Sequence, residues 1–347
     1  MTIPLAYVLH SGQMFGTERM ALATLAALRG SFSGLIIAPP GPVHAAARER
    51  GLQSCATQGR LRMVWAMLKH LRQHPDSALF ATGVWQSMVA GAARGLLGWK
   101  GAHVHVVHGG TDERLSYGRK RLLAALSLRF VAVSGFVRER LLAHGVPAAR
   151  IDVIHNFLPQ APAAERPRFT HDGVRRVVML SRLDRIKRVG LLFDALERVP
   201  GLDRIEFDVY GSGEEAALLR ERARAFPNVH LHGFVPDASE ALAQADLLLH
   251  TCPEEPFGLV LLEAFAAGVP VLVPGSGGAA DIVHDGVNGW HLAANDAIAL
   301  GRQLSRAMYA PAVTLNALAD GGRLSLQRDF SASRQAGRYG ALARSLA

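Results

Sequence analysis

Residues 245–292 read ADLLLHTCPEEPFGLVLLEAFAAGVPVLVPGSGGAADIVHDGVNGWHL, and at their centre EPFGLVLLE sets Glu255 and Glu263 eight positions apart. The run Leu247–His250 is of strand length and nearly continuously apolar, as strands buried on both faces are. A polar, proline-bearing loop follows, then an apolar helical stretch that Gly268-Val269-Pro270 stops, then the strand-like Val271–Val273. Strand, loop, helix and strand in that order make the repeating unit of a parallel α/β sheet. A helix opening near Phe257 would aim the free backbone N–H groups of Gly258 and Leu259 at an anion. Glu255 would then stand at the helix mouth and Glu263 would be buried further along, where a carboxylate needs a partner.

The same unit recurs along the chain. Further strand candidates are Leu5–Leu9, Leu35–Ala38, Ala78–Ala81, His103–Val107, Phe130–Val133 and Asp152–Ile154 in the first half, and Val177–Leu180, Glu206–Tyr210 and Val229–Leu231 in the second. Ala/Leu/Arg segments at helical spacing separate them. This alternation predicts an α/β fold of two doubly wound, Rossmann-like parallel sheets, with ligands bound at the carboxyl ends of the strands in a cleft between the domains. The stretch HNFLPQAPAAERPRFTHDG carries Pro159, Pro162 and Pro167 and reads as a linker. The expected domains are therefore 1–158 and 172–325, joined by a linker at 159–171, with a C-terminal helix at 326–347 that could cross back to the first domain.

The 347 residues are 49% hydrophobic and 19% charged, which suits a globular chain and excludes a disordered one. Two cysteines in unrelated contexts give neither a disulfide framework nor a metal pattern. Neither a leader peptide nor an apolar run of transmembrane length is visible, so a cytoplasmic protein is expected. The net charge of +9 favours anionic partners such as nucleic acid, phosphorylated ligands or an acidic membrane, although arginine and alanine are abundant throughout.

Several strand ends carry candidate chemistry. After the first strand, HSGQMFGTER offers Gly12 and Gly16 for close backbone approach to a phosphate or sugar. His108 ends the fourth candidate strand, where an imidazole can hydrogen-bond a hydroxyl or move a proton, whereas His103 and His105 alternate with valines and read as structural. In SRLDRIKRV, Arg182 and Lys187 stand at a strand–helix junction and could clamp a diphosphate. Gly211 and Gly213 in VYGSGEE resemble part of a dinucleotide fingerprint, but its third glycine is missing. Gly277-Gly278 offers another close backbone approach.

Together these motifs resemble the retaining, nucleotide-sugar-dependent glycosyltransferases of family 4 (group 1), which have the GT-B fold. The resemblance runs over nearly the whole chain and is strongest over 245–292, with support from SRLDRIK, DVYGSGEE, HLHGFVPD, VIHNF and the FGTE turn. It implies that Arg182 and Lys187 hold the donor diphosphate, that Glu263 accepts the ribose hydroxyls, and that Glu255 and His108 contact the transferred sugar. It also implies that Phe257, Gly258 and Leu259 meet sugar and phosphates, that Gly233 to Val235 hold the base beside Gly211, and that Gly12 and Gly16 line the phosphate and acceptor side. The expected reaction is a hexosyl transfer with retention from a UDP- or GDP-sugar to a saccharide or lipid-linked saccharide, in polysaccharide or lipopolysaccharide synthesis. It needs no cofactor and no metal, and Asp-x-Asp is absent from the sequence. Nucleic acid is not an expected partner. The pattern departs from the family at His250-Thr251-Cys252-Pro253, at Asp281, at His155-Asn156-Phe157 and at Phe15-Gly16, which leaves the donor open.

Other readings are a nucleotide-sugar epimerase or phosphorylase-type enzyme of the same fold, a Rossmann oxidoreductase using the Gly211 turn, and a non-catalytic sugar-nucleotide binder. The basic, leucine-bearing stretch 113–130 suggests peripheral contact with the inner face of the membrane. There Arg119, Lys120 and Arg121 would meet anionic lipid while Leu122, Leu123 and Leu126 pack. Alternatively, this is a surface helix whose leucines face the core.

Overall fold

The computed structural model describes residues 2–110, 116–159 and 162–346. The chain forms two compact units, Met1–Pro159 with Phe330–Ala347, and Gln160–Asp329.

The first unit is built on a seven-stranded sheet: β1 (Ile3–Val8), β2 (Phe32–Ala38), β3 (Gln53–Ala56), β4 (Ala78–Ala81), β5 (His103–Val107), β6 (Arg129–Ala132) and β7 (Ile151–Val153). Every pairing is parallel, in the order β3-β2-β1-β4-β5-β6-β7. The order reverses between β1 and β4, so the strand-end loops there diverge and leave a crevice. On one face Ala6, Val8, Leu79 and Ala81 pack under Met63, Met67 and Leu71 of the helix Arg60–Gln73 and under Trp99. The indole N–H of Trp99 donates to Ser77 O at 2.9 Å, which satisfies a fully buried polar group.

The helix Ala332–Ser345 belongs to this unit and packs on the helix Gly16–Ala27. Tyr339 lies against Phe80, and a Cβ at Gly340 would come within 3.0 Å of Leu28. Residues 326–329, expected in this terminal helix, instead complete the preceding one, Ala312–Asp329.

The second unit has six parallel strands: β8 (Arg176–Leu180), β9 (Glu206–Tyr210), β10 (Val229–Gly233), β11 (Leu247–Leu249), β12 (Val271–Pro274) and β13 (Trp290–Leu292). Their order, β10-β9-β8-β11-β12-β13, reverses between β8 and β11. Val177, Met179, Phe207, Val209, Leu247 and Leu249 pack with Leu192 and Phe193 of the helix Gly190–Arg198 and with Leu300 and Leu304 of the helix Ala297–Ala307.

Of the segment read as a linker, residues 160 and 161 lie outside the described residues. From Pro162 onward the segment is fixed to the second unit. Arg166 donates to Asp246 Oδ1 at 2.6 Å, and the other oxygen of Asp246 accepts the N–H groups of Arg175 and Arg176 at 2.8 and 3.0 Å. The Arg166 guanidinium also lies over the Phe169 ring. A buried ion pair whose remaining lone pairs are hydrogen-bonded in this way holds its segment in one place.

The expected lipid-facing stretch begins at residues 113–115, which lie outside the described residues. Its described part is a 3₁₀ helix, Gly118–Ala125, that reverses part of the expectation: Lys120 is buried and Leu122 is exposed, while Arg119 and Arg121 face out and Leu123 is in the core. Among the described residues no helix is long and apolar enough to cross a membrane.

Candidate active site

In the second unit, the loops after β8 and β11 flank the point where strand order reverses. The β8 loop carries SRLDRIK. It is laced to the β9 loop through Ser181 N to Tyr210 O, Leu183 N to Ser212 O and Glu215 N to Leu183 O, at 3.2, 2.9 and 2.9 Å. A Cβ at Gly211 would stand 1.8 Å from Ser181 O, and one at Gly213 would stand 2.5 Å from the Leu183 backbone. The two glycines thus brace the β8 loop against β9, a packing reason for the pattern that resembled a dinucleotide fingerprint. The 3₁₀ turn Arg185–Lys187 ends on Arg188 at φ 52°, the one non-glycine residue with positive φ among the described residues. Backbone held in this region concentrates at functional sites.

Lys187 emerges from that turn, and its ammonium donates to Glu255 Oε2 at 2.5 Å. His250 Nε2 stands 3.3 Å from the same oxygen. Thr251 Oγ1 donates to Lys187 O at 2.7 Å, tying the exit of β11 to the β8 turn. Burial alone would raise the pKa of Glu255, but the neighbouring His250 ring and the Lys187 ammonium outweigh it and hold the carboxyl well below the usual range. Arg182 is more open: its side chain is 59% exposed and pairs with Asp184 at 2.5 Å.

A second loop holds Glu255 from the far side. Gly278 N donates to Glu255 O at 2.6 Å, and Ser276 Oγ donates to Pro253 O at 2.9 Å. A Cβ on Gly277 or Gly278 would approach the Pro253–Pro256 backbone to 2.7 and 2.2 Å. Gly277-Gly278 therefore clamps the glutamate loop.

The helix Leu259–Ala267 begins two residues later than expected, because Gly258 sits at its cap with φ 94°. The first-turn N–H groups of Leu259 and Val260 have no carbonyl one turn back. Phe257 is buried before the cap. The burial expected of the two carboxylates is exchanged: Glu255 is the buried one and Glu263 is half-buried. Gly233, at φ 81°, ends β10 and accepts from Gly211 N at 2.7 Å, and Val235 is half-buried beside it.

The fold therefore brings Arg182, Lys187, Glu255, Phe257–Leu259, Glu263, Gly211, Gly233 and Val235 into one unit, and His108, Gly12 and Gly16 into the other. A Cβ at Gly12 would meet Pro39 O at 2.3 Å, so its own unit requires this glycine, and Gly16 is exposed at the start of its helix. His108 is half-buried with its Nε2 enclosed, and burial together with the charge of His10 lowers its pKa to about 4. His103 and His105 are buried strand residues, as expected. Sequence reasoning missed His250, Thr251 and Asp184; their signal was position at a strand end beside the named cations and carboxylate.

Cys252 joins His250 and Glu255 in a buried trio whose ligand-capable atoms lie within 4.8 Å of one another, a grouping that sequence spacing did not show. Burial, then the Glu255 charge, pushes its thiol up to about 11, and Lys187 occupies the Glu255 carboxylate. The trio is thus organised around an ammonium.

Comparison with known proteins gives the family and the fold class. Residues 16–160 match the family model described as Glycosyltransferase Family 4, and residues 174–309 match Glycosyl transferases group 1. The chain belongs to these glycosyltransferases. Among relatives, a GDP-mannose-dependent alpha-mannosyltransferase of Mycobacterium tuberculosis is 30% identical over 49% of this chain and 45% of its own length. The lipopolysaccharide glucosyltransferase WaaG of Escherichia coli is 45% identical over 19% of this chain and 18% of its own length. The match thus spans about half, or less, of these curated relatives. Among solved structures, Anabaena HepE in complex with UDP-glucose superposes with a TM-score of 0.83 at 18% identity, covering 99% of this chain and 100% of that one. It shows that the fold is of the GT-B glycosyltransferase class.

Proposed function

We propose that the protein transfers a hexosyl group, with retention, from a nucleoside diphosphate sugar to a saccharide or lipid-linked saccharide acceptor in cell-surface polysaccharide or lipopolysaccharide assembly. The observation that carries this reading is the Lys187–Glu255 pair at the switch point of the second unit, beside the open tip of the helix Leu259–Ala267. A diphosphate there would draw the Lys187 ammonium from Glu255 and gain Arg182 and the helix N–H groups, leaving Glu255 to accept sugar hydroxyls and Glu263 to accept those of the ribose. In the reaction, the acceptor hydroxyl oxygen bonds to the anomeric carbon on the face that the diphosphate leaves. The carbon–oxygen bond to the β-phosphate breaks with its electron pair going to the phosphate, which takes the acceptor proton. Lys187, Arg182 and the helix tip meet the charge that develops, so no metal is required. The UDP-glucose complex of HepE and the GDP-mannose dependence in the mannosyltransferase's name support a UDP- or GDP-sugar donor.

The test is a donor panel of UDP- and GDP-sugars with saccharide and lipid-linked acceptors, read as release of nucleoside diphosphate. One sugar should give release that Lys187→Ala abolishes. Absence of release with every donor and acceptor would leave a binding protein.

The acceptor side we place at an anionic membrane surface. Leu61 and Trp65 are 86% and 65% exposed on the helix Arg60–Gln73, among Arg60, Arg62 and Lys69, with exposed Met88 and Leu96 on the neighbouring helix Val84–Leu97. Exposed aromatic and aliphatic side chains within basic ones suit an interfacial helix. Flotation with anionic vesicles should be salt-sensitive and weakened in Trp65→Ala. Equal flotation of the variant would remove this surface.

A further inference from the structure

The switch point of the first unit carries its own polar constellation. His10 follows β1 and Thr82 follows β4, and His10 Nδ1 and Thr82 Oγ1 are hydrogen-bonded at 3.0 Å. His108 follows the adjacent strand β5. The 3₁₀ helix Gly118–Ala125 adds Lys120, which is 7% exposed, its ammonium donating to the Ser116 carbonyl. Among the described residues no carboxylate forms an ion pair with Lys120.

That is an unusual way to leave a lysine. Buried ammonium groups are normally matched by a carboxylate, because desolvation of the charge is otherwise uncompensated. At the switch point of the second unit Lys187 has Glu255. Burial does lower the Lys120 pKa to about 8, which still leaves it mainly charged at neutral pH. Its field adds to the burial that keeps His10 and His105 neutral. The Nε2 atoms of His105 and His108 are enclosed and make no hydrogen bond to protein. The set thus offers an ammonium, imidazoles and a hydroxyl at a place where doubly wound sheets bind ligands, and among the described residues no carboxylate pairs with that ammonium.

We propose that Lys120, His10, Thr82 and His108 form an oxyanion subsite that takes a phosphate or carboxylate group carried by the acceptor. The assignment of this group to the acceptor rests on the transferase reading, whereas binding of the oxyanion itself does not.

The test is calorimetric titration of inorganic phosphate, with acetate as a second arm, into Lys187→Ala protein, in which the proposed diphosphate clamp is disabled. Phosphate or acetate should bind, and whichever binds tighter identifies the preferred group. Adding Lys120→Met should weaken binding at least tenfold and raise the Tm of the ligand-free protein, because a desolvated charge is gone. Lys120→Arg should keep most of the affinity. Should Lys120→Met fail to fold, His10→Ala at an exposed position carries the same expectation of weaker binding. Absence of binding by both anions, or affinity unchanged in Lys120→Met or His10→Ala, overturns the proposal. UDP and GDP binding to the wild-type protein is measured separately: its absence would sink the donor reading and leave the oxyanion subsite standing.

Discussion

The Lys187 ammonium donates to Glu255 Oε2 at 2.5 Å, joining side chains 68 positions apart on the loops that leave β8 and β11. Both are largely withdrawn from water, at 16% and 12% side-chain exposure. Removing one member of such a pair strands the other. Lys187→Ala should therefore lower stability by about 3 kcal/mol and lower nucleoside diphosphate release by roughly 100-fold or more. Lys187→Ala with Glu255→Gln should recover most of the stability and none of the activity. Urea melts and release assays on the three proteins separate the two roles, and wild-type release in Lys187→Ala would sink the diphosphate clamp.

Glu263 is half-buried on the helix Leu259–Ala267, so its truncation should disturb folding little. If it accepts ribose hydroxyls, Glu263→Ala should raise the donor KM by about tenfold with a small change in kcat, the loss expected for a charged hydrogen bond. An unchanged donor KM would remove the ribose role.

The glutamate loop depends on a glycine of the loop that follows β12. Gly277 has φ 69°, and a Cβ there would lie 2.7 Å from Pro253 O and 3.0 Å from Glu255 N. Gly286, at φ 72°, has nothing within 4 Å of the same position. Both alanine variants carry the left-handed backbone penalty of about 1–2 kcal/mol, but only Gly277→Ala must shift the backbone of Glu255. Activity measured at equal folded fraction should fall in Gly277→Ala and hold in Gly286→Ala. Equal activity in the two would separate Glu255 placement from this clamp.

Strands whose side chains are buried on both faces were legible by composition: β4 and β5 are buried throughout and have the bounds that the sequence predicts. The two strands not anticipated, β3 (QSCA) and β13 (WHL), are short edge strands, paired on one side only and half-exposed, so they carry little of the apolar signal. The site's residue types were legible at strand ends, but their pairing was not. Lys187 meets Glu255 because β8 and β11 are neighbours, a fact of topology that local spacing does not encode. Lys120 was misplaced for a different reason. At three residues per turn, Lys120 and Leu123 share one face of a 3₁₀ helix, and both point inward; α-helical spacing groups Leu122, Leu123 and Leu126 instead.

His103 makes the acid limb of stability testable. It is 1% exposed, neither ring nitrogen has a hydrogen-bond partner, and burial, followed by the charge of Arg94, lowers its pKa to about 3. In the unfolded chain the ring protonates near 6.5, so below that pH the unfolded state binds a proton that the folded state refuses until about 3. Stability is therefore lost as pH falls through this window, by about 1.4 kcal/mol per pH unit for one such group. His70 and His108, both lowered to about 4, act in the same direction. The depressed carboxyl of Glu255 stabilises the fold above the ordinary carboxylate range and loses that contribution as pH falls below it, so it stays constant between pH 7.5 and pH 5. His10 and His105 are lowered too, and His103→Leu removes one of these histidine contributions. Between pH 7.5 and pH 5, urea melts should show the variant losing about 2 kcal/mol less than the wild type. Parallel losses would mean that His103 takes up its proton in the folded chain as readily as in the unfolded one.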